Sequence, residues 1–395
     1  MSNDLKQRVH ARLLHSPALD ELDARDRTPI RARLAELLRD EAPLLPPDRF
    51  ERTLTELTRE VAGLGPLEPL LTEPEVTEVM VNGPGRAFVE RRGRLEPVAL
   101  ALDAAGIVRL VERVVAPLGL RLDRSSPIVD ARLPDGSRLH AMIPPLAVDG
   151  PYVTIRRFRP APVGLEAFGL DPGPAAFLSW CVVSGWNILV SGGTSSGKTT
   201  LLNALSGAVP AVERVVTIEE TAELRLAQPH VVRLEARPPN AEGVGGVTVR
   251  ELVRASLRMR PDRIVVGEVR GPEALDMLQA LNTGHDGSLS TVHANGVEEA
   301  IARLETLVLF AEAALPLAAV RGQITAALDL VVHVARRRDG SRRVDAIAEI
   351  GTDAREIVVA PLWQRRDDVL AAVGRPTRVA RRVDSDPPDP AWWSG

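Results

Sequence analysis

The sequence predicts an α/β protein: a parallel-sheet domain preceded by a smaller mixed α/β domain and a helical N-terminal extension. Residues 192–199 form a glycine-rich loop between a short apolar run and a helical pattern. From residue 174 onward, apolar strand patterns alternate with helix patterns, whereas residues 63–159 carry short β-type runs separated by turn residues. Strands separated by helices pair in parallel and place ligand sites at their carboxyl ends.

Residues 1–62 are the predicted helical extension. Apolar residues recur there at helical spacing, first at Ile30, Leu34 and Leu38, and then, after Pro46, at Leu54 and Leu57. This spacing places the apolar side chains on one face of each helix.

Residues 63–159 are predicted to form the mixed α/β domain. Strands are expected at 76–81, 87–90 and 152–158, a helix at 108–115, and a hairpin at 128–143 whose turn is Pro134-Asp135-Gly136. The connection that follows, 160–173, carries Pro and Gly and is predicted to be a linker.

Residues 174–374 are predicted to form the parallel-sheet domain. The expected strands are 187–191, 215–218, 263–266 and 289–292, and a final strand pair is expected at 330–335 and 346–349. Helices are expected at 198–206, after the capping box Thr248-x-x-Glu251, at 272–282, and across most of 300–328. The proline-rich segment 375–395 is predicted to be a disordered tail.

The loop after the first of these strands matches the phosphate-binding pattern G-x-x-x-x-G-K-[ST]. In that pattern backbone N–H groups surround the phosphates, the lysine reaches the β and γ oxygens, and the hydroxyl of Thr199 holds magnesium. The chain contains only two lysines, Lys6 and Lys198, so the match argues against an ordinary Gly/Ser-rich surface turn. The predicted nucleotide contacts are Gly192, Thr194, Ser195, Ser196, Gly197, Lys198, Thr199 and Thr200.

Hydrolysis of a bound nucleotide requires carboxylates for magnesium and for orienting water, and two strand ends supply them. The run Ile264 to Glu268 ends an apolar strand in an acid, which is typical of a Walker B element. The run after residue 218 carries Glu219, Glu220 and Glu223, of which the first two are candidate metal ligands. The alternative interpretation of both runs is that the acidic residues are ordinary solvent-exposed residues at the ends of strands.

Two histidines, His285 and His293, bracket the strand at 289–292. Hydrogen-bonded structural histidines are the more common case, and a γ-phosphate sensor is the functional alternative. Zinc binding is disfavoured, because the chain has a single cysteine and the histidine spacing fits no helical ligand pair.

The composition limits the functions to consider. The net charge of −4 and the aromatic content of 3% give little support to nucleic-acid binding. The single cysteine, Cys181, lies in an apolar stretch and is expected to be a buried thiol in a reducing cytoplasm. No run of about 18 apolar residues occurs, so any membrane association is expected to be peripheral.

Together the motifs GGTSSGKTT, TIEETAEL, VVGEVRG and TGHDGSLSTVHAN resemble those of the secretion-superfamily ATPases of type II and type IV secretion and type IV pili. The runs VMVNG from Val79 and DARLPDGSR from Asp130 resemble the tight-adherence pilus, CpaF-like, branch. The resemblance extends from about Leu64 to Val334. Glu220 departs from it, since that position usually carries Asp.

This resemblance implies a RecA-like ATPase domain joined by a linker to a PAS-like domain, assembled as a cytoplasmic hexamer at the inner face of the membrane, where a platform protein is its partner. It implies ATP and Mg²⁺ as ligands, Glu223 as a catalytic acid and Glu268 as the Walker B acid. It further implies that His285 and His293 form the paired "His box". Arg138, Arg156 and Arg157 occupy positions from which the first domain reaches phosphate.

The expected function is therefore an ATP-driven motor of pilus assembly or secretion. One alternative is a nucleotide-gated scaffold with little turnover, which the acids at both strand ends disfavour. The other is a nucleic-acid translocase on the same core, which the charge and the aromatic content disfavour.

Overall fold

The computed structural model describes residues 2–14, 27–133, 135–157, 163–239, 243–311, 315–354, 356–378 and 389–393. The chain divides into two compact units, Met1–Arg159 and Pro160–Gly395. Within those described ranges, no helix combines the length and the apolar character needed to cross a bilayer.

The first unit begins with three helices, α1 (Ser2–Leu14), α2 (Arg27–Glu41) and α3 (Pro47–Ala62). They pack around a small core that includes Val9, Leu34, Leu38 and Leu57, as the helical spacing predicts. Pro47 begins α3, a position where the fixed φ of proline suits the first turn and its missing N–H is not needed.

The remainder of the first unit is an antiparallel sheet with two helices. The helices are α4 (Glu68–Thr72) and α5 (Ala104–Val115), and Asp103 caps α5 by accepting the N–H of Gly106. The strands are β1 (Val76–Asn82), β2 (Ala87–Arg91), β3 (Arg94–Val98), β4 (Ile128–Arg132), β5 (Arg138–Met142) and β6 (Tyr152–Arg156). They are ordered β3-β2-β1-β6-β5-β4, and α5 contributes Leu110 and Val111 to the core of this sheet.

The second unit alternates strands and helices. The helices are α6 (Pro172–Val183), α7 (Lys198–Ser206), α8 (Val249–Ser256), α9 (Glu273–Leu281), α10 (Val297–Leu309) and α11 (Leu317–Ala327). The strands are β7 (Ile188–Gly192), β8 (Val215–Glu219), β9 (Val231–Glu235), β10 (Arg263–Val269), β11 (Leu289–His293), β12 (Leu330–Arg336), β13 (Arg342–Asp353), β14 (Glu356–Arg366) and β15 (Val369–Ala372).

These strands form one sheet in the order β15-β14-β13-β12-β7-β11-β10-β8-β9. Pairing is parallel from β12 to β9 and antiparallel from β12 to β15. Alternate residues of β7 enter different cores: Leu189 packs with the core that contains α8 to α11, and Ile188 and Val190 pack with the core that contains α6 and α7. The predicted α/β class is confirmed, and α7 has its predicted bounds.

The structure differs from the sequence expectation at the sheet edges. The segments that form β9, β14 and β15 carried no predicted strand, although the last two extend the predicted final pair into a four-stranded antiparallel edge. Residues 160–162 of the predicted linker lie outside the described residues. The rest of it is folded: Leu165–Phe168 is a 3₁₀ helix, and Phe168 is buried in the second unit.

The predicted disordered tail is partly ordered. Residues 379–388 and 394–395 lie outside the described ranges, but Pro390–Trp393 is a 3₁₀ helix packed on the second unit. Before it, Arg378 forms an ion pair of 2.6 Å with Asp329. The expectation of disorder is wrong for these residues, because two tryptophans give a short segment enough apolar surface to hold it against the domain.

All five tryptophans of the chain lie in one aromatic cluster around Phe177 of α6. Trp393 stacks on Trp363 with ring centroids 4.9 Å apart, and it lies edge-on to Phe177 at 5.4 Å. The intrinsic tryptophan fluorescence of the protein therefore reports on the second unit alone.

We expect Trp393→Ala to lower the free energy of unfolding of the second unit by about 2 kcal/mol, since it removes a half-buried ring with three aromatic contacts. Urea unfolding followed by tryptophan fluorescence measures this. Trp393→Phe is the control and keeps most of the stability. A Trp393→Ala variant as stable as the natural protein would show that the C-terminal segment is not docked.

Candidate active site

The glycine-rich loop connects the carboxyl end of β7 to the first turn of α7. Gly197 caps α7 in a left-handed conformation, with φ +96°, and Ser195 also has a positive φ of +57°. A Cβ atom added to Gly197 would lie 2.7 Å from Cδ of Arg342, so both the conformation and the space require glycine there. The loop thus presents its backbone N–H groups and the positive end of the α7 dipole at one point.

The side chain of Lys198 is largely buried beside this loop. Its Nζ donates a hydrogen bond of 3.1 Å to the carbonyl oxygen of Gly193 and lies 3.7 Å from Oε1 of Glu268. The cation is therefore held at the mouth of the loop by a carboxylate from β10, at the position that a terminal phosphate would take over.

A row of alternating charges continues from Glu268. Its Oε2 accepts a hydrogen bond of 2.5 Å from Arg270, and the same guanidinium donates to Glu220 at 3.0 Å. Lys198, Glu268, Arg270 and Glu220 thus form a continuous ionic network across the ends of β8 and β10. The structure brings together the two acidic runs that the sequence placed at separate strand ends.

Glu219, the last residue of β8, is hydrogen-bonded to the backbone of the acidic run that follows it. It is 3% exposed, and its Oε1 accepts the backbone N–H groups of Glu223 and Leu224 at 2.8 and 2.9 Å. Its Oε2 is buried without a hydrogen-bond partner. Burial raises the pKa of Glu219 to about 7, against the lowering effect of the two amide hydrogen bonds.

Gly267 on β10 makes room for the carboxylate of Glu219. A Cβ at Gly267 would lie 2.7 Å from Cγ of Glu219, so only glycine lets the neighbouring strand accommodate this side chain. The side chain of Glu223 is half-buried. Because Glu219 binds the backbone N–H of Glu223, the position of Glu223 depends on the packing of β8 against β10.

The two predicted histidines lie at opposite ends of β11. His293 pairs in register with Gly192 at the carboxyl end, beside the loop, and it is exposed. His285 precedes the strand at its amino end and lies within hydrogen-bonding distance, 2.9 Å, of the carbonyl oxygen of Ala280. Within this chain β11 separates the two histidines, so His293 lies beside the loop and His285 lies at the opposite end of the strand.

The arginines predicted to reach phosphate belong to the first unit. Arg157 donates to the carbonyl oxygens of Glu73 and Val76, so its guanidinium is committed to backbone acceptors there. Arg138 and Arg156 are cross-strand partners on β5 and β6, and both are at least partly exposed. Of these three arginines, Arg156 is exposed, and Arg138 is half-buried with its guanidinium 3.9 Å from Oδ1 of Asp130.

Two residues of the site were missed at the sequence level. Arg270, which the sequence analysis did not single out, bridges Glu268 and Glu220; its place two residues after a strand-end acid was the available signal. His333 of β12 lies under the loop, with Nδ1 2.9 Å from Oγ of Ser191, and burial lowers its pKa, so the ring is neutral. Nothing in its apolar strand pattern distinguishes it.

The residues present fit a nucleotide and magnesium. Among the described residues no group of three or more His, Cys, Asp or Glu forms a ready cation cage. Magnesium does not require one, since it binds one or two protein oxygens together with phosphates and waters. Thr199, in the first turn of α7, and the exposed Glu220 have suitable oxygens. Glu219 fits less well, because one of its oxygens already binds two amides.

Comparison with known proteins gives consistent matches. Residues 60–365 match the family described as type II/IV secretion system protein. A putative conjugal transfer protein of Mycobacterium tuberculosis is 43% identical over 321 residues, which cover 78% of this chain and 91% of that protein. The type IV secretion system protein PtlH of Bordetella pertussis is 36% identical over 321 residues, covering 70% and 91%.

Solved structures agree on the fold. The ATPase DotB of Legionella pneumophila is 20% identical with a TM-score of 0.53, over 73% of this chain and 80% of that one. The pilus retraction motor PilT with bound ADP is 19% identical with a TM-score of 0.52, over 74% and 82%. At these identities the likeness concerns the fold alone.

We expect the stability of the second unit to depend on pH through Glu219. The folded pKa of about 7 lies above the ordinary value of 4.5, so the folded state binds the proton more tightly and stability falls as pH rises between these values. In urea titrations without metal or nucleotide, the unfolding free energy of the natural protein should fall relative to Glu219→Gln by about 2 kcal/mol between pH 5 and 8.

Glu220→Gln, which removes an exposed neighbouring carboxylate, is the control. Parallel pH curves for the natural protein and Glu219→Gln would contradict this assignment.

Proposed function

The chain belongs to the type II/IV secretion system protein family, a family of nucleotide-hydrolysing secretion and pilus ATPases, and from that premise we propose that it is an ATP-driven motor of a secretion or pilus system. The observation that carries the proposal is the ammonium of Lys198, held between the carbonyl of Gly193 and the carboxylate of Glu268. The cation of Lys198 and the candidate base Glu268 therefore lie side by side next to the glycine-rich loop.

The chemistry follows from these positions. A triphosphate entering the loop offers Lys198 a more highly charged partner than Glu268, so the ammonium turns to the β and γ oxygens. Glu268 is then free to orient a water molecule toward the terminal phosphate and to accept its proton. Thr199, with Glu220 as the candidate carboxylate, would hold magnesium, which would neutralise part of the phosphate charge.

Further residues complete the proposed site. His293, beside Gly192, is placed to sense the terminal phosphate, and Glu223 is a second candidate acid. Arg270 holds Glu268 and Glu220 together and so sets the position of the base. Of the first-unit arginines, Arg138 and Arg156 are the candidates for a phosphate contact.

The finer assignment rests on the sequence resemblance. We propose the tight-adherence pilus branch, a hexameric assembly and a cytoplasmic location at the inner face of the membrane, with a membrane platform protein as the partner. Conformational change on hydrolysis would then drive pilus assembly or secretion. The matched relatives are described as conjugal transfer and type IV secretion proteins, which supports the secretion role in general.

We expect Lys198→Ala to abolish ATP turnover, and Glu268→Gln to bind ATP but hydrolyse it at least about a hundredfold more slowly. Phosphate release and nucleotide binding, measured on the same samples, separate these effects. Lys6→Ala, which removes the only other lysine, is the matched control and keeps full turnover. Natural protein that binds ATP without releasing phosphate would support a nucleotide-gated scaffold instead.

The proposed assembly has its own test. In sedimentation velocity with Mg²⁺ and a non-hydrolysable ATP analogue, the natural protein should sediment as a hexamer, because nucleotide bound at the loop fixes the conformation that assembles. Lys198→Ala should not show the nucleotide-dependent increase. A monomer at every nucleotide concentration would refute the ring.

A further inference from the structure

The hairpin between β12 and β13 borders the glycine-rich loop. β12 pairs in parallel with β7, so both strands end at the same edge of the sheet. The contact is close, since a Cβ added to Gly192 would collide with the carbonyl oxygen of Val334. This hairpin carries five arginines, Arg336, Arg337, Arg338, Arg342 and Arg343.

One arginine of this hairpin packs on the loop itself. A Cβ added to Gly197, at the N-cap of α7, would lie 2.7 Å from Cδ of Arg342 and 3.5 Å both from its Nε and from Cε1 of Phe168. Two neighbours have acidic partners away from the loop: Arg337 donates to Asp345 at 2.9 Å and Arg343 to Asp368 at 3.1 Å. The stem of Arg342 is thus fixed against the turn that surrounds the phosphates.

The amino end of α7 is a place of positive electrostatic potential. It carries the positive end of the helix dipole, and Lys198 lies in the same turn. Arg342 packs there, although arginine is normally favoured at the opposite end of a helix. A phosphate bound at this turn would interact favourably with the helix end and with both cationic side chains.

The order of the strands indicates how a bound nucleotide would be oriented in the site. β11 and β10, on one side of β7, provide His293 and Glu268 and so mark the end where the terminal phosphate lies. β12 and β13 lie on the other side of β7. A nucleotide whose γ-phosphate faces Glu268 extends its nucleoside end toward the hairpin.

We propose that Arg342 binds the phosphate next to the ribose, the group that ATP and ADP share, and so positions the nucleotide from the side opposite Glu268. This inference rests on the proposed function and adds to it a residue for nucleotide affinity. Because the contact is the same before and after hydrolysis, Arg342 contributes uniform binding and does not act on the chemical step.

The decisive variant is Arg342→Met, which keeps an unbranched stem to pack on Gly197 but removes the guanidinium. We expect its affinity for ADP and for ATP to fall by the same factor of about tenfold or more, as for the loss of a charge-assisted hydrogen bond. KM for ATP should rise by that factor while kcat stays within about twofold. Titration calorimetry and steady-state phosphate release measure the two parts.

Two further variants make the test specific. Arg342→Lys restores the charge and should recover part of the affinity, whereas Arg343→Met, on the neighbouring arginine paired with Asp368, should bind both nucleotides as the natural protein does. Urea unfolding followed by tryptophan fluorescence confirms that each variant is folded.

Three outcomes would overturn the inference. They are ADP binding by Arg342→Met as tight as that of the natural protein, a loss of ATP binding without a loss of ADP binding, and a loss of affinity no greater than that of Arg343→Met. Each of these leaves the proposed function intact if the natural protein hydrolyses ATP. Failure of the natural protein to bind either nucleotide would instead refute the proposed function itself.

Discussion

The contact between the ammonium of Lys198 and the carboxylate of Glu268, at 3.7 Å, is the interaction on which the rest of the site depends. It joins the loop after β7 to the end of β10, and Arg270 extends it to Glu220 after β8. Paired charges of this kind are satisfied without ligand, yet a triphosphate competes for the cation and leaves the carboxylate free. In the proposed mechanism the same contact positions Lys198 and Glu268 before nucleotide binds and is exchanged for contacts to phosphate when it does.

The parallel register of the sheet makes this contact possible. Parallel strands bring their carboxyl ends to one edge, where β7, β8, β10 and β11 deliver a cation, three acids and a histidine. Two glycines allow the close packing at this edge. Gly197 starts α7 where a side chain would collide with Arg342, and Gly267 leaves space for the buried side chain of Glu219. The chemistry of the site is thus inseparable from the packing of neighbouring strands.

Local features of the sequence predicted the centre of this domain well. The loop motif, the bounds of α7 and the capping box of α8 are set by residues close together in the chain, and the structure has all of them. The roles that depend on contacts far apart in sequence were not predictable. The bridging of Arg270 and the position of Arg342 on Gly197 need the strand order, and the order 12-7-11-10-8 is not encoded in any single segment.

Two further features depend on contacts that the segments themselves do not reveal. The resemblance assigned His285 and His293 to one motif, and the structure has them at opposite ends of β11, with His293 beside the loop. The prolines of the tail predicted disorder, whereas its last tryptophans pack on an aromatic surface built from α6 and β14. Neither arrangement is visible without the neighbouring elements.

The most direct test of the central claim is calorimetric titration of the 395-residue chain with a non-hydrolysable ATP analogue in the presence of Mg²⁺. We expect the natural protein to bind one nucleotide per chain saturably, and we expect Lys198→Ala to lose this binding. No detectable binding by folded natural protein at millimolar analogue would contradict the assignment of the loop as a nucleotide site.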